Sequence, residues 1–115
     1  ISLKGETIYY TGPTPHKKGE VIGSCGPTTS SRMDPFTPLL LRHGLTAMIG
    51  KGERSKEVNL AIKKYGAVYF ITIGGAGAYL SEKVKAAKVI AYEDLGPEAI
   101  YRLEIQDFPV IVGQV

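Results

Sequence analysis

The residues best suited to chemistry are gathered in one short stretch, GSCGPTTSSRMD at residues 23–34. It combines several hydroxyl groups with glycines and one guanidinium, that of Arg32, and it lies just before a predicted helix. Backbone N–H groups at a helix start, hydroxyl donors and a guanidinium all favour a negatively charged ligand. The pattern therefore predicts an anion site. The alternative is a Ser/Thr-rich capping loop that leaves Arg32 on the surface.

A second candidate is Lys51, which lies between two glycines in the sequence GKGERS at residues 50–55. A lysine on such a strand-to-helix turn can approach a ligand closely, and the alternative is an exposed turn lysine. The spacing is not that of a P-loop. The sequence GGAG at residues 74–77 likewise does not match the glycine pattern of dinucleotide-binding turns, and we interpret it as a site of tight packing.

Three isolated residues have plain structural interpretations. His16 is predicted to be a solvated loop residue, and His43, near the end of a predicted helix, to act as a cap rather than a catalyst. Cys25 has no obvious base near it in the sequence, so a buried structural thiol is favoured over a nucleophile.

The elements that must position these loops alternate between strands and helices. Residues rich in β-branched and aromatic types predict strands at 7–11, 47–49, 68–73, 89–92, 99–106 and 108–112. Helical spacing predicts helices at 34–43, 55–65 and 78–87, with Asp34 and Ser55 as the first two N-caps. This order predicts one α/β domain over residues 1–115, with a mixed sheet and flanking helices, in which 68–73 is a central strand buried on both faces.

Composition excludes several classes of protein. A net charge of +3 over 115 residues is too small to indicate a nucleic-acid partner. No apolar run approaches the roughly 20 residues that span a bilayer, so we expect a cytoplasmic protein without a membrane partner. A single cysteine excludes an internal disulfide and any iron–sulfur cluster that this chain would hold alone through cysteines.

The same segments resemble the iron–sulfur-dependent class I fumarate hydratases and the related tartrate dehydratases. The resemblance is to their C-terminal domain, which forms a separate β subunit in two-subunit members, and it covers nearly the whole chain. The motif at residues 23–34 is the longest and most specific part of it. It is accompanied by YYTGP at 9–13, IGKG at 49–52, IGGA at 73–76, DLGPEA at 94–99 and FPVIV at 108–112.

This resemblance implies a swivelling β/β/α domain and a division of labour between two subunits. The cysteine-bearing α subunit would hold a 4Fe-4S cluster whose open iron acts as a Lewis acid on the leaving hydroxyl. This chain would hold the dicarboxylate substrate and help to move its C3 proton. The metal would have no ligand here, and the reaction would be the reversible hydration of fumarate to malate.

The resemblance also assigns roles to particular residues. Thr28 corresponds to the threonine proposed as the proton-abstracting base and Arg32 to the carboxylate clamp. The remaining substrate contacts implied are Lys51, as a second cation, together with Thr29, Gly26 and His16. Single-chain members carry an arginine in an Ala-Arg-Asp-x-Ala-His string, whereas the stretch here, TGPTPH at residues 11–16, has none.

Three alternatives stay open at this point. The missing arginine leaves tartrate or another 2-hydroxy diacid as the substrate. A domain of the same fold could hold an anion without catalysing a reaction. A nucleotide-binding α/β domain is the third, although both glycine motifs depart from its templates.

Overall fold

A computed structural model of the chain describes residues 2–12, 15, 18–72 and 77–115. Within these residues the chain forms strands β1 (Thr7–Tyr9), β2 (Ala47–Gly50), β3 (Val68–Ile71), β4 (Val84–Ala91), β5 (Ile100–Ile105) and β6 (Ile111–Gln114). The α-helices are α1 (Thr37–Arg42), α2 (Lys56–Tyr65) and α3 (Gly77–Ser81), and 3-10 helices lie at Ser30–Met33 and Glu93–Glu98. None of the helices described is long and apolar enough to cross a membrane.

The chain divides into two compact units. The first comprises Ile1–Tyr10, Pro27–Thr72 and Val110–Val115, and the second comprises Thr11–Gly26 and Ile73–Pro109. The sequence motifs at 28–34 and 49–52 both belong to the first unit. The extent of a single domain over residues 1–115, and its swivelling type, stay predictions.

The first unit is built on a mixed sheet with the strand order β1-β2-β3-β6. Strands β1, β2 and β3 are parallel, and β6 runs antiparallel to β3. Helices α1 and α2 contribute Leu41, Val58 and Ile62 to a core that also contains Met48 of β2 and Tyr69 of β3. The predicted α/β class, with a mixed sheet and flanking helices, is therefore confirmed.

Helix α2 forms as its local sequence requires. The Ser55 side chain accepts a hydrogen bond from the Val58 N–H at 3.2 Å, which satisfies one of the free donors of the first turn. Gly66 ends the helix in the left-handed conformation, with φ of 67°. The apolar positions Val58, Ala61 and Ile62 are buried, whereas Tyr65 is exposed at the helix end.

Two predictions about burial and capping in the first unit are wrong. The strand buried along its length is β2, while β3 is interior in the sheet but only Tyr69 of its four residues is buried. Helix α1 begins after Phe36 rather than after Asp34. Asp34 instead ends the 3-10 helix, because its carboxylate is engaged by two groups farther along the chain.

The second unit contains the antiparallel pair β4 and β5 and a small core of Ile22, Cys25, Leu80 and Val84. The third helix ends at Ser81 rather than at the predicted residue 87, and β4 begins at Val84. Pairing with β5 supplies the backbone hydrogen bonds of this segment and overrides the helix propensity of its alanines and lysines. Tyr101 and Leu103 of β5 are half-buried and their neighbours Ile100, Arg102 and Glu104 are exposed, an alternation that ends at the exposed Ile105.

Candidate active site

Two loops meet where the parallel strands β1 and β2 end: the threonine loop, residues 28–30, and the lysine turn, residues 50–55. The Thr28 N–H donates to the Tyr10 carbonyl at 2.8 Å, and the Tyr10 N–H donates to the Ile49 carbonyl at 2.9 Å. Thr29 pairs with Lys51 in an isolated parallel bridge, and the Ser30 N–H donates to the Lys51 carbonyl at 3.1 Å. In open α/β sheets, ligands bind at the carboxyl ends of the strands. The fold therefore brings the predicted residues Thr28, Thr29 and Lys51 together at such an edge.

The side chains at this edge have different exposures. Thr28, Thr29 and Lys51 are half-buried, and Arg32 is exposed on the 3-10 helix that starts at Ser30. Thr29 occupies the N-cap position of that helix but makes no capping hydrogen bond with its side chain. Its hydroxyl is therefore not committed to the capping role that the alternative interpretation of this loop would give it.

Tyr69 of β3 links the two loops through its hydroxyl group. Its oxygen lies 2.9 Å from Ser30 Oγ, and the hydroxyl donates to the Gly52 carbonyl at 2.8 Å. Since a tyrosine hydroxyl carries one proton and a carbonyl can only accept, the Ser30 hydroxyl must supply the proton of the other bond. Burial raises the pKa of Tyr69, and the nearby Ser30 and Arg54 act in the opposite direction without reversing the shift.

Gly50 is required for this close approach, and Gly52 is required by the backbone conformation of the turn. A Cβ atom on Gly50 would overlap Ser30 Oγ. Gly52 has φ of 82°, a conformation that residues with side chains rarely adopt, and a Cβ atom there would face Thr29 Cγ2 at 3.7 Å. The two glycines of the IGKG motif therefore let the lysine turn and the threonine loop lie side by side.

A buried ion pair supports the edge, and sequence reasoning missed it. Arg54 Nε donates to Asp34 Oδ1 at 2.7 Å, and Arg54 Nη2 donates to Thr37 Oγ1 at 2.9 Å. The guanidinium lies between two aromatic rings, with its Cζ 5.3 Å from the Tyr10 centroid and 4.8 Å from that of Tyr69. The second oxygen of Asp34 accepts the Ser55 N–H at 2.6 Å. The only sequence signal for this pair is that the lysine turn contains an arginine and the motif at residues 23–34 contains an aspartate.

The remaining candidates do not belong to the described part of the first unit. Gly26 lies in the second unit, where its carbonyl accepts the Thr11 hydroxyl at 2.7 Å. Beside it, the Cys25 N–H donates to the Gly77 carbonyl at 3.1 Å. His16 and the predicted packing site at 74–76 lie outside the described residues. The roles predicted for Gly26 and His16 stay predictions.

Cys25 and His43 have the structural environments that the sequence suggested. Cys25 is fully buried in the second core, and this burial raises the pKa of its thiol. His43 ends α1, where its N–H donates to the Leu39 and Leu40 carbonyls at 3.1 Å. His43 is not part of the edge that carries Thr28 and Lys51, and Cys25 belongs to the second unit.

A separate depression in the first unit is unsuited to an anion. Its lining includes the exposed Glu53 and Glu57 together with Arg54, whose charge is paired with that of Asp34. Two carboxylates at its rim would repel a dicarboxylate. The strand edge, with Lys51 and Arg32 in its loops, is the better candidate.

Comparison with known proteins identifies relatives along nearly the whole chain. Residues 1–114 match the model of the family described as Fumarase C-terminus. The chain is 42% identical over 112 residues to fumarate hydratase 1, mitochondrial, of Leishmania major. The aligned region covers 96% of this chain and 20% of that protein. It is also 42% identical over 112 residues to the anaerobic class I fumarate hydratase of Escherichia coli (strain K12), again 20% of that protein.

A third relative is a proposed L(+)-tartrate dehydratase subunit beta of Methanocaldococcus jannaschii. The identity is 36% over 119 residues, which is 98% of this chain and 61% of that protein. The chain thus spans about a fifth of the length of the fumarate hydratases and a larger share of the separate β subunit.

Proposed function

This chain belongs to the Fumarase C-terminus family, and we propose that it acts as the β subunit of an iron–sulfur hydro-lyase that interconverts fumarate and malate. The names of its relatives support this reaction class, since they include class I fumarate hydratases. The beta subunit among the relatives supports a heteromeric enzyme. The cytoplasmic location stays a prediction.

The observation that carries the proposal is the pairing of Thr29 with Lys51 at the carboxyl ends of the parallel strands. It places Lys51 next to Thr29, and so near the adjacent Thr28, in loops of the first unit. An ammonium group attracts a carboxylate, and hydroxyl and backbone N–H groups can hydrogen-bond to it. A small dicarboxylate is the class of ligand that such a set of donors suits.

Within this proposal, each candidate has one task. Arg32 and Lys51 bind the two carboxylates of the substrate, Arg32 through the paired N–H groups of its guanidinium. Thr29, Gly26 and His16 add further contacts. Thr28 takes part in the transfer of the C3 proton. A neutral threonine hydroxyl is a weak base, so it needs either a neighbouring carboxylate, contributed by the partner subunit, or strong local activation.

The described residues of this chain do not fit an iron–sulfur cluster. The sequence has one cysteine, which is buried in the core of the second unit. Among the residues that the structure describes, no group of three or more histidine, cysteine, aspartate or glutamate side chains is arranged to hold a metal. We propose that the cysteine-bearing α subunit holds the 4Fe-4S cluster, and the steps assigned to this chain are binding and proton transfer.

Coexpression with the α subunit tests the function directly. The complex, reconstituted anaerobically with iron and sulfide, should hydrate fumarate, followed as the loss of the ultraviolet absorbance of its double bond. This chain reconstituted alone should neither gain the brown colour of a cluster nor turn over substrate. A stoichiometric cluster on the isolated chain would overturn the two-subunit arrangement.

L(+)-tartrate dehydration is the second candidate, because one relative is a proposed tartrate dehydratase beta subunit. Parallel assays of the complex with malate and with L(+)-tartrate decide between the two substrates through the ratio of their kcat/KM values. A loaded complex that binds both diacids but converts neither would instead indicate an anion-binding domain without catalysis.

A further inference from the structure

We propose that Tyr69 is a positioning residue of the hydro-lyase, whose hydroxyl fixes the threonine loop against the lysine turn. This inference rests on the proposed function. Tyr69 reaches both segments, through Ser30 Oγ at 2.9 Å and the Gly52 carbonyl at 2.8 Å. Ser30 directly follows Thr29, and Gly52 directly follows Lys51. One hydroxyl therefore connects the backbones that carry two of the proposed substrate contacts.

The residue that carries this hydroxyl is buried and is held by several contacts. Tyr69 is 2% exposed and lies in an interior strand, opposite Met48 of β2 and Gln114 of β6. Its ring faces the Arg54 guanidinium at 4.8 Å, which Asp34 and Thr37 hold in place. With the Tyr69 backbone paired on both sides in the sheet and its ring packed on the guanidinium, its hydroxyl can determine where the two loops lie.

The hydroxyl bridge differs from the other ring contact of Arg54. The Tyr10 ring also faces the guanidinium, at 5.3 Å, but its hydroxyl is buried with no hydrogen-bond partner among the described residues. Tyr10 contacts the threonine loop through its backbone carbonyl, which a change of side chain leaves in place. A comparison of Tyr69 with Tyr10 therefore separates the effect of the hydroxyl bridge from the effect of ring packing on Arg54.

The test compares Tyr69→Phe with two control variants in the assembled complex. Tyr10→Phe removes the unpaired hydroxyl while the ring stays over Arg54. Ile62→Val removes one methylene from a fully buried side chain of α2, and so lowers stability without changing the bridge. Each complex is measured for kcat, KM, melting temperature, cluster content and amide hydrogen exchange at Thr28 and Ser30, whose N–H groups donate to Tyr10 and Lys51.

The proposal predicts that Tyr69→Phe lowers kcat/KM by about ten- to a hundredfold, since misplacement of a reacting group by about 1 Å can cost a factor of a hundred. Exchange at Ser30 should become faster while cluster content stays at the wild-type value. Tyr10→Phe and Ile62→Val should keep wild-type kinetic constants, even where Ile62→Val melts at the lower temperature.

Two results would overturn the positioning role. One is unchanged exchange at Thr28 and Ser30 in Tyr69→Phe. The other is faster exchange with wild-type kcat and KM, which would leave the bridge a purely structural contact. A wild-type complex that is loaded with cluster but inactive on fumarate, malate and tartrate overturns the proposed function instead, and with it the catalytic part of this inference. The exchange data still report whether the bridge holds the loops.

Discussion

Asp34 binds Arg54 through a 2.7 Å contact between a carboxylate oxygen and Nε, with the arginine side chain fully buried and the aspartate 8% exposed. The two residues lie in the two sequence motifs that carry the proposed substrate contacts. Their pairing therefore connects the end of the 3-10 helix with the start of α2.

Asp34→Asn should be strongly destabilising, because it leaves the Arg54 charge buried without its counter-ion. Removing one partner of a buried ion pair typically costs about 3–5 kcal/mol. Urea unfolding of the complex measures the loss. The double variant Asp34→Asn/Arg54→Met removes both charges, so its loss should be smaller than the sum of the two single losses. A change below about 0.5 kcal/mol in Asp34→Asn, the range of an ordinary surface substitution, would contradict the structural role of the pair.

Cys25 should be unreactive towards alkylating reagents in the native protein at neutral pH. The thiolate is the reactive form, and burial raises the pKa of this thiol. Mass spectrometry after iodoacetamide treatment should find little modification of the native chain and complete modification in urea. Labelling at equal rates in both conditions would mean that the second core opens readily.

The same pKa shift makes stability depend on pH. A thiol whose pKa is raised in the folded state keeps its proton there after the unfolded chain has lost it. Its contribution to stability is therefore complete below the unfolded pKa of about 8.5 and declines as pH rises above it. The raised pKa of Tyr69 adds a further decline above about pH 10. Cys25→Ala should flatten the first part of this decline in unfolding experiments between pH 8 and 10.

The parts of the structure that could be predicted from the sequence are those with local physical causes. Helix α2 is bounded by a Ser55 cap and by Gly66, so its position follows from neighbouring residues. The family resemblance assigned the threonine loop and Lys51 to one substrate site, whereas the chemistry of the residues alone left an anion site and a capping loop as alternatives.

The misassigned parts depend on distant partners. Residues 84–88 contain alanines and lysines that favour a helix, but β5 pairs with them as a strand. Asp34 has the sequence context of an N-cap, but its carboxylate binds Arg54, twenty positions away. A carboxylate can serve either purpose, and the choice depends on tertiary contacts that local patterns do not contain.

Arg32→Lys should impair the assembled enzyme without unfolding it. Arg32 is exposed, so the change has little effect on packing within this chain. A lysine cannot reproduce the paired N–H contacts of a guanidinium to a carboxylate. We expect kcat/KM to fall by one to a few powers of ten, about 1.4 kcal/mol for each. Steady-state kinetics and a melting curve measure the two effects, and wild-type kinetics would remove Arg32 from the substrate site.

Gly50→Ala should separate the two loops. The new Cβ would overlap Ser30 Oγ and would lie 3.2 Å from Tyr10 Cδ2, so Ser30 must rotate away from Tyr69. Overpacking of this kind typically costs about 1–3 kcal/mol. Gly26→Ala is the control for fold stability, since its Cβ would meet Gly77 at an ordinary 3.5 Å.

Adding Ser30→Gly to Gly50→Ala tests the cause of that loss. The second change removes the atoms that the new Cβ overlaps, so a double-mutant cycle should show a favourable coupling between the two substitutions. Strictly additive losses in unfolding free energy would show that Gly50 is required for another reason.

Thr28→Val tests whether the Thr28 hydroxyl moves a proton. Valine keeps the branched shape, and the backbone hydrogen bond from the Thr28 N–H to the Tyr10 carbonyl is retained. Loss of a group that acts in the transition state lowers kcat and kcat/KM equally, by roughly two to four powers of ten for general acid–base catalysis. Loss of a group that only binds substrate raises KM and leaves kcat unchanged.

Thr28→Ser is the matched control for this change, because it keeps the hydroxyl and should retain much of the activity. If Thr28 only stabilises the loop, the valine variant should instead lose about 1 kcal/mol of stability, with wild-type turnover in the enzyme that stays folded. Kinetics and a melting curve on both variants decide between these outcomes. Turnover of Thr28→Val at the wild-type rate would remove Thr28 from proton transfer and leave Arg32 and Lys51 as the binding groups that this chain contributes to its partner.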